Sequence, residues 1–474
     1  MGAALPREED EMGSDRKTPL KVGAAKVDIS PELGIQIAGD IGRRRPCTGV
    51  KEPIYARALV LEQDGRRYCI LSLDVLAIDN PWADEIRRRA QAAYGLPPEA
   101  VMIHITQNHA APSIGNHFCR DECNLFPAEH QWLRGGDARY NEPAVRGTVE
   151  AIGEAIGRLE PVRVSAGRAV DGRVAFNRRF VMRDGTAVCH PPSCSPKILH
   201  VEGPTDPEVG VVTFTAGDGH VISALLHHTC HPCHGFGGNE VIGGWPGAWC
   251  EEMEAHFGPT CTPLVINGCC GNVHHANHLH PSQKDDHREM GRLLAESSRR
   301  ALGSMTEVGP EPFAWTRRVI PIPRRRIPDE LLAQAKKMLQ EHPEPLWKDA
   351  QHIRVEWDWV YAVGIIDIAD ERRTHPDYPY EIQALRIGDL AVLALMGEPF
   401  VEAQLRIKLE SPFPFTVVAH MCNGYLGYVP TKRAFARGGY ETRTGRGSRL
   451  EPEALEMVEE AALDILKGLW SGRI

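Results

Sequence analysis

No run of about eighteen apolar residues, the length a membrane-spanning helix needs, occurs anywhere in the 474-residue chain. Long basic runs are missing too. The formal charge is −9, and the short stretches Arg43 to Arg45 and Arg324 to Arg326 read as solvated loops, so the electrostatic footprint of a nucleic-acid partner is absent. The segment from Met1 to Lys21 is charged and lacks the apolar centre of a secretory signal. Thirteen cysteines are an odd number spread over a long chain, unlike the dense even pattern of a small disulfide scaffold. These absences predict a soluble cytoplasmic protein with a disordered leader over residues 1–20 and a small-molecule substrate. They speak against a nucleic-acid partner and stable membrane insertion, and nothing argues against a homo-oligomer.

What is present in abundance is histidine, and it is clustered. Leu226-His227-His228-Thr229-Cys230-His231-Pro232-Cys233-His234 follows an apolar run, Val221 to Leu226, that reads as a buried strand ending at a glycine-rich loop. Any one of these histidines is more readily explained by a backbone carbonyl that it satisfies. The cluster points instead to a metal, because neutral imidazole is the commonest metal ligand and strand ends are where α/β proteins place chemistry.

Along the chain, Lys21 to Pro31 looks like an edge strand closed by proline. Tyr55 to Glu62 and Tyr68 to Asp74 are β-rich and separated by Asp64-Gly65, a hairpin signal. Helices are expected at Ala83 to Tyr94, Glu142 to Leu159, Trp245 to His256, Asp286 to Met305, Asp329 to His342 and Pro452 to Leu469, several closed by glycine. The strand Val101 to Thr106 delivers Gln107-Asn108-His109 to a loop. A polar, aromatic stretch from Asn116 to Ala138, carrying Cys119 and Cys123, has the length of a functional lid. The strand Pro263 to Asn267 leads into the glycine-rich turn Gly268 to Asn277, and Ala391 to Leu395 leads into Gly397-Glu398-Pro399. With no internal repeat and no linker after Lys21, the economical reading is one large α/β domain over residues 21–474, a mixed sheet flanked by helices.

The order of these motifs resembles the catalytic region of the neutral/alkaline ceramidases, zinc-dependent amidases that split ceramide. Val27 to Pro31, Tyr55 to Ala58 and Thr106-Gln107-Asn108-His109-Ala110-Ala111-Pro112 resemble the family's N-terminal half. Cys230-His231-Pro232, Asn267 to Asn277, Gly397 to Pro399 and Asn423 to Val429 resemble its later motifs. The resemblance implies a zinc ion held by His231, Glu398 and Tyr428. The family's first histidine ligand is Gln107 here, and its metal-facing serine is His274, so the two changes are read as linked, with His274 supplying the imidazole lost at Gln107 and His275 or His228 as rivals for that place. His109 matches a catalytic neighbour of the metal and is expected to shuttle protons, and Tyr428 is expected to ligate as phenolate or to donate to the oxyanion. Asn177 and Arg178 match a family Asn-Arg pair near the active site, and together with Asn272, in the loop that carries the family's serine, they are expected to contact substrate.

The function implied is a zinc-dependent hydrolase in which a metal-bound hydroxide attacks an amide or related carbonyl. The chain stops soon after its closing helix, with no room for the ceramidases' C-terminal β-sandwich, and it lacks their serine. A small polar substrate is therefore expected rather than ceramide. A metal- or ligand-binding homologue that has lost hydrolysis, or a carbohydrate-active lyase or hydrolase at the same metal, are the rival readings.

Overall fold

The strand Lys21–Asp28 is not at an edge but in the middle of a nine-stranded sheet. In a computed structural model that describes residues 18–280 and 285–473, the strand pairs antiparallel with Tyr55–Gln63 on one side and Glu160–Val170 on the other. The expected leader lies outside the described residues up to position 17. Proline at position 31 stops the strand but says nothing about its flanks. Burial decides those, and Val22, Ala24 and Ala25 are all buried.

The sheet runs in the order 264–267, 221–228, 208–216, 160–170, 21–28, 55–63, 66–73 and 101–105, with 306–308 beside 160–170. Its outermost pairs, 221–228 with 264–267 and 66–73 with 101–105, are parallel and the others antiparallel. The expected hairpin is present, its turn made by Asp64 and Gly65 with φ of 50° and 75°, the left-handed pair that a two-residue hairpin needs.

A second sheet of four strands, 313–323, 377–387, 390–395 and 415–419, packs on the first. Leu59, Ile70, Met102 and Leu225 of the large sheet share one core with Leu385, Val392 and Val417 of the small one. Helices Asn80–Tyr94 and Ala138–Ile156 cover part of the large sheet's other face, and Gly244–Phe257 with His287–Leu302 cover the rest. Val401–Glu410 and Ala454–Trp470 cover the small sheet. The architecture is thus mixed α/β in four layers, and a strand covered on both faces is apolar throughout rather than alternating; Tyr55–Gln63 is buried at nearly every position.

Local signals set the helix ends. Asp79 accepts from Trp82 N to cap Asn80–Tyr94, which closes on Gly95 at φ 69°, and a side-chain acceptor there satisfies an otherwise orphaned N–H. The segment Asn116 to Ala138 packs rather than swings free: Cys119, Cys123 and Phe126 are buried against Trp359 and Val360 of the helix Trp357–Thr374. No helix among the described residues is long and apolar enough to cross a membrane.

The large sheet curls until its two outer strands meet, and Asn267 is the tie. Its N–H donates to His104 Nε2 at 3.0 Å, its side-chain amide donates to the carbonyls of Thr106 (3.3 Å) and Cys230 (3.0 Å), and its Oδ1 accepts from Cys230 N at 3.2 Å. His420 N donates to the Asn267 carbonyl at 3.1 Å. Four strand ends, and the loops that leave them, are held at one place.

Candidate active site

Those loops carry the residues of interest. His109 N donates to Pro232 O at 3.1 Å, joining the loop after Ile105 to the loop after His228. The two rings they bring together are His109 and His231, with Nε2 to Nε2 at 3.0 Å. On the far side, His109 Nδ1 lies 2.9 Å from Gly39 O and His231 Nδ1 lies 3.4 Å from Cys270 O. A carbonyl can only accept, so the partners assign the proton of each neutral ring to Nδ1. Burial holds both rings neutral, pushing His109 down to about 3 and His231 well below the ordinary histidine value. Two nitrogen lone pairs therefore face each other in a buried place, which is unfavourable unless a proton or a cation lies between them.

Glu398 completes the group. Gly397 precedes it at φ 64°, where a Cβ would sit 2.5 Å from the Gly427 carbonyl, so only glycine lets the chain run this close to its neighbour. The result is a short parallel pairing that sets Glu398 beside Tyr428. Glu398 Oε1 accepts from Tyr425 OH at 3.4 Å, while Oε2 is buried, has no hydrogen-bond partner, and lies 3.9 Å from His231 Nε2. Burial raises the carboxyl to about 7, against the lowering influence of Gln107, Arg178, Tyr428 and Tyr425. Tyr428 stays a phenol, its pKa pushed well up by burial and then by Glu398. The guanidinium of Arg178 lies 5.4 Å from the Tyr428 ring centroid and is fixed by Glu441 and the Gly271 carbonyl.

Of the residues the sequence singles out, His231, Glu398 and Tyr428 come together, and the imidazole that joins them is His109. His274 does not reach this point. Its Nδ1 accepts from Ala276 N at 2.9 Å, and its ring stacks 4.1 Å from His275 and 6.4 Å from His231. Gln107 is buried at φ 67° and turned toward the Glu398 carboxylate and the Cys270 thiol, with Sγ to Oε1 at 3.8 Å.

Asn177 and Asn272 spend their amides on the fold. Asn177 donates to Pro204 O (2.9 Å) and accepts from Arg179 N (3.1 Å), while Asn272 accepts from Val401 N (2.9 Å) and donates to Glu402 (2.9 Å). Neither lines the cleft, whereas Arg178 does. Cys269 and Cys270 are buried in the core, as small apolar residues would be.

The nine-residue histidine cluster itself divides. His227 and His228 are buried in their strand, each with Nδ1 on a backbone carbonyl (Ile266 at 2.9 Å and Glu208 at 3.0 Å). His231 enters the site, and His234 belongs to a neighbouring group. Cys233, two residues on and inside the cluster though given no role of its own, places Sγ within 4.8 Å of the His109 and His231 nitrogens. Tyr440 and His190 were unmarked. They line, with His274, Trp357 and Tyr361, a cleft of about 950 Å³ that opens on His109, His231 and Tyr428.

No family model matches the chain. Neutral ceramidase of Pseudomonas aeruginosa is 23% identical over 247 residues, covering 51% of this chain and 33% of that protein. The chain thus spans about a third of the length of the curated relative it matches. The crystal structure of neutral ceramidase from Pseudomonas aeruginosa superposes with a TM-score of 0.70 at 20% identity, covering 95% of this chain and 74% of that one. A ceramidase complexed with C2 gives a TM-score of 0.70 at 19% identity, covering 96% and 75%. The sequence match and both superpositions lead to one protein type, and the superpositions establish its fold for this chain.

Proposed function

We propose, from the premise that this chain is a divergent relative of the neutral ceramidases and carries their fold, that it is a metal-dependent hydrolase of an amide or related carbonyl bond. The observation that carries this reading is the convergence of two imidazole nitrogens 3.0 Å apart at the inner end of the cleft with a buried, unpartnered carboxylate oxygen 3.9 Å from one of them. Two nitrogens on one tetrahedral zinc, with bonds of about 2.0–2.1 Å, would stand about 3.3 Å apart. The Nδ1 contacts to carbonyls are the support that metal-bound histidines ordinarily have. The donor set therefore fits a zinc ion held by His109, His231 and Glu398, with Cys233 and Tyr428 at its margin. Bound there, a divalent cation supplies an acidified water and polarises a carbonyl.

The chain's own groups do the rest. Tyr428 keeps its proton and can donate to charge that develops on a carbonyl oxygen. His274, whose Nδ1 is an acceptor, presents Nε2–H as a second donor in the cleft. Arg178, anchored on both sides, holds Tyr428 in place and adds positive charge near it. Seven histidines line the cleft together with Trp357, Tyr361 and Tyr440. Such a wall suits a polar substrate with a planar or ring-shaped part better than two long alkyl chains.

A second reading, a ligand-binding homologue without turnover, is favoured by a single observation: His274 stands where the resemblance places a serine. Turnover separates the two. The full chain is tested on N-acyl amino sugars, N-acyl amino acids and a short-chain ceramide, before and after chelation and again with Zn²⁺ restored. Hydrolysis of at least one class, lost on chelation and recovered with zinc, is the expected result. Hydrolysis unaffected by chelation refutes the metal, and binding without hydrolysis favours the second reading.

A further inference from the structure

We infer that His234, His275 and Asp285 form a second cation site on the wall of the same cleft, suited to a divalent transition metal. The three residues arrive from separate places. His234 follows the loop of His231, His275 follows His274, and Asp285 comes just before the helix His287–Leu302. His275 Nε2 lies 3.0 Å and His234 Nε2 3.5 Å from the same oxygen, Asp285 Oδ1. The two rings are stacked at 3.7 Å and 18°. All three ligand atoms lie within 4.8 Å of one another.

Both imidazoles are buried, at 3% and 7% exposure, while Asp285 is exposed, so the nitrogens are fixed and the carboxylate is the part that adjusts to an ion. Stacked rings cannot both carry a proton without repulsion, and burial keeps His234 neutral, the form in which imidazole ligates. Two imidazole nitrogens and one carboxylate oxygen are donors for zinc, cobalt, iron or manganese. They are too few oxygens for calcium or magnesium. Asp285 and His275 also line the cleft, so the remaining coordination positions face the space where a substrate oxygen could bind.

The site is separate from the His109–His231 pair. His274 stands between, its ring 4.1 Å from His275 and 6.4 Å from His231, and no residue belongs to both groups among the described residues. A bridging ligand of the kind that holds two metals about 3.5–4 Å apart is therefore missing. Nearby, His287 is occupied by Glu52 at 2.9 Å and does not join.

The probe is Co²⁺ added to the chelator-stripped full chain, with bound equivalents counted and the visible d–d absorption recorded. The wild type should take two equivalents. Asp285→Ala, at an exposed position, and His275→Gln should each lose one, and His231→Ala should lose the other. If the His109–His231 pair holds no metal, the wild type takes one equivalent that survives His231→Ala and vanishes with Asp285→Ala, which supports the second site alone. Retention of the wild-type count and spectrum by both Asp285→Ala and His275→Gln, with melting temperatures showing that they fold, overturns the proposal.

Discussion

Two histidine pairs sit close together at the strand ends and differ in how their rings are partnered and exposed. In the first, His104 has both nitrogens engaged, Nδ1 2.8 Å from His420 O and Nε2 accepting from Asn267 N at 3.0 Å. In the second, His109 and His231 each have one nitrogen on a carbonyl and the other facing its partner. Burial pushes every ring of both pairs down, His104 to about 4 and His109 to about 3, although His109 alone is partly exposed, at the cleft. His104, satisfied at both nitrogens, fixes structure, whereas the facing nitrogens of His109 and His231 are left for a ligand where the cleft reaches them.

The comparison breaks most visibly at Asn267. Asn267→Ala removes partners from Thr106 O and from both Cys230 backbone groups. At about 1–3 kcal/mol per buried group left unsatisfied, the loss of stability should be about 4 kcal/mol, read as a lower urea midpoint. An unchanged midpoint would mean that the strand ends are held elsewhere.

On the open side, Glu398→Gln should alter how the metal-free protein responds to pH. A carboxyl at about 7 in the fold, against about 4.3 unfolded, leaves the folded state with more bound protons between those values. Stability from this group is therefore full below about 4.3 and is lost as pH rises through about 7, by roughly 4 kcal/mol at about 1.4 kcal/mol per unit. Denaturation of the stripped protein at pH 5 and pH 8 should show a drop in the wild type that is missing from Glu398→Gln. Parallel curves for the two would remove the raised carboxyl.

Tyr428→Phe keeps the ring under Arg178 and deletes only the donor. Turnover should fall about 100-fold with the zinc content kept, whereas full turnover would discard the oxyanion role. The smallest effect belongs to Asn272→Ala. The cap on Val401 is lost, at about 1 kcal/mol of stability, and KM for any substrate found should stay where it was. A raised KM would return Asn272 to the cleft.

The strands whose ends converge on the candidate site were legible in the sequence, because a covered strand is apolar and its terminus abruptly polar, as at Ile105, His228, Asn267 and Leu395. Glu398 and Tyr428 were associated only through the family resemblance, and their parallel pairing came from the fold. Less legible was which of two nearby residues faces which way. Gln107 adopts a left-handed φ of 67°, which turns its amide to Glu398 and leaves His109 to meet His231. Counting positions along a motif cannot see that turn, nor that the His274 ring, expected to restore the missing imidazole, lies 6.4 Å from the His231 ring. The helix Trp357–Thr374, which brings Trp357 and Tyr361 to the cleft, also escaped notice. It is buried on much of its circumference, so its apolar residues lack the one-sided period of an amphipathic helix. Tyr440 comes from a loop with no pattern of its own, and only the fold brings it opposite Tyr428, 5.6 Å between ring centroids.

The central claim is that the open pair holds the catalytic metal, and zinc affinity measured by chelator competition tests it most directly. In an Asp285→Ala background, which leaves the neighbouring cluster without its carboxylate, His109→Ala and His231→Ala should each weaken zinc binding by more than about 100-fold, while His274→Ala leaves it unchanged. Zinc affinity that survives both changes in the pair, or that falls with His274→Ala instead, would contradict it.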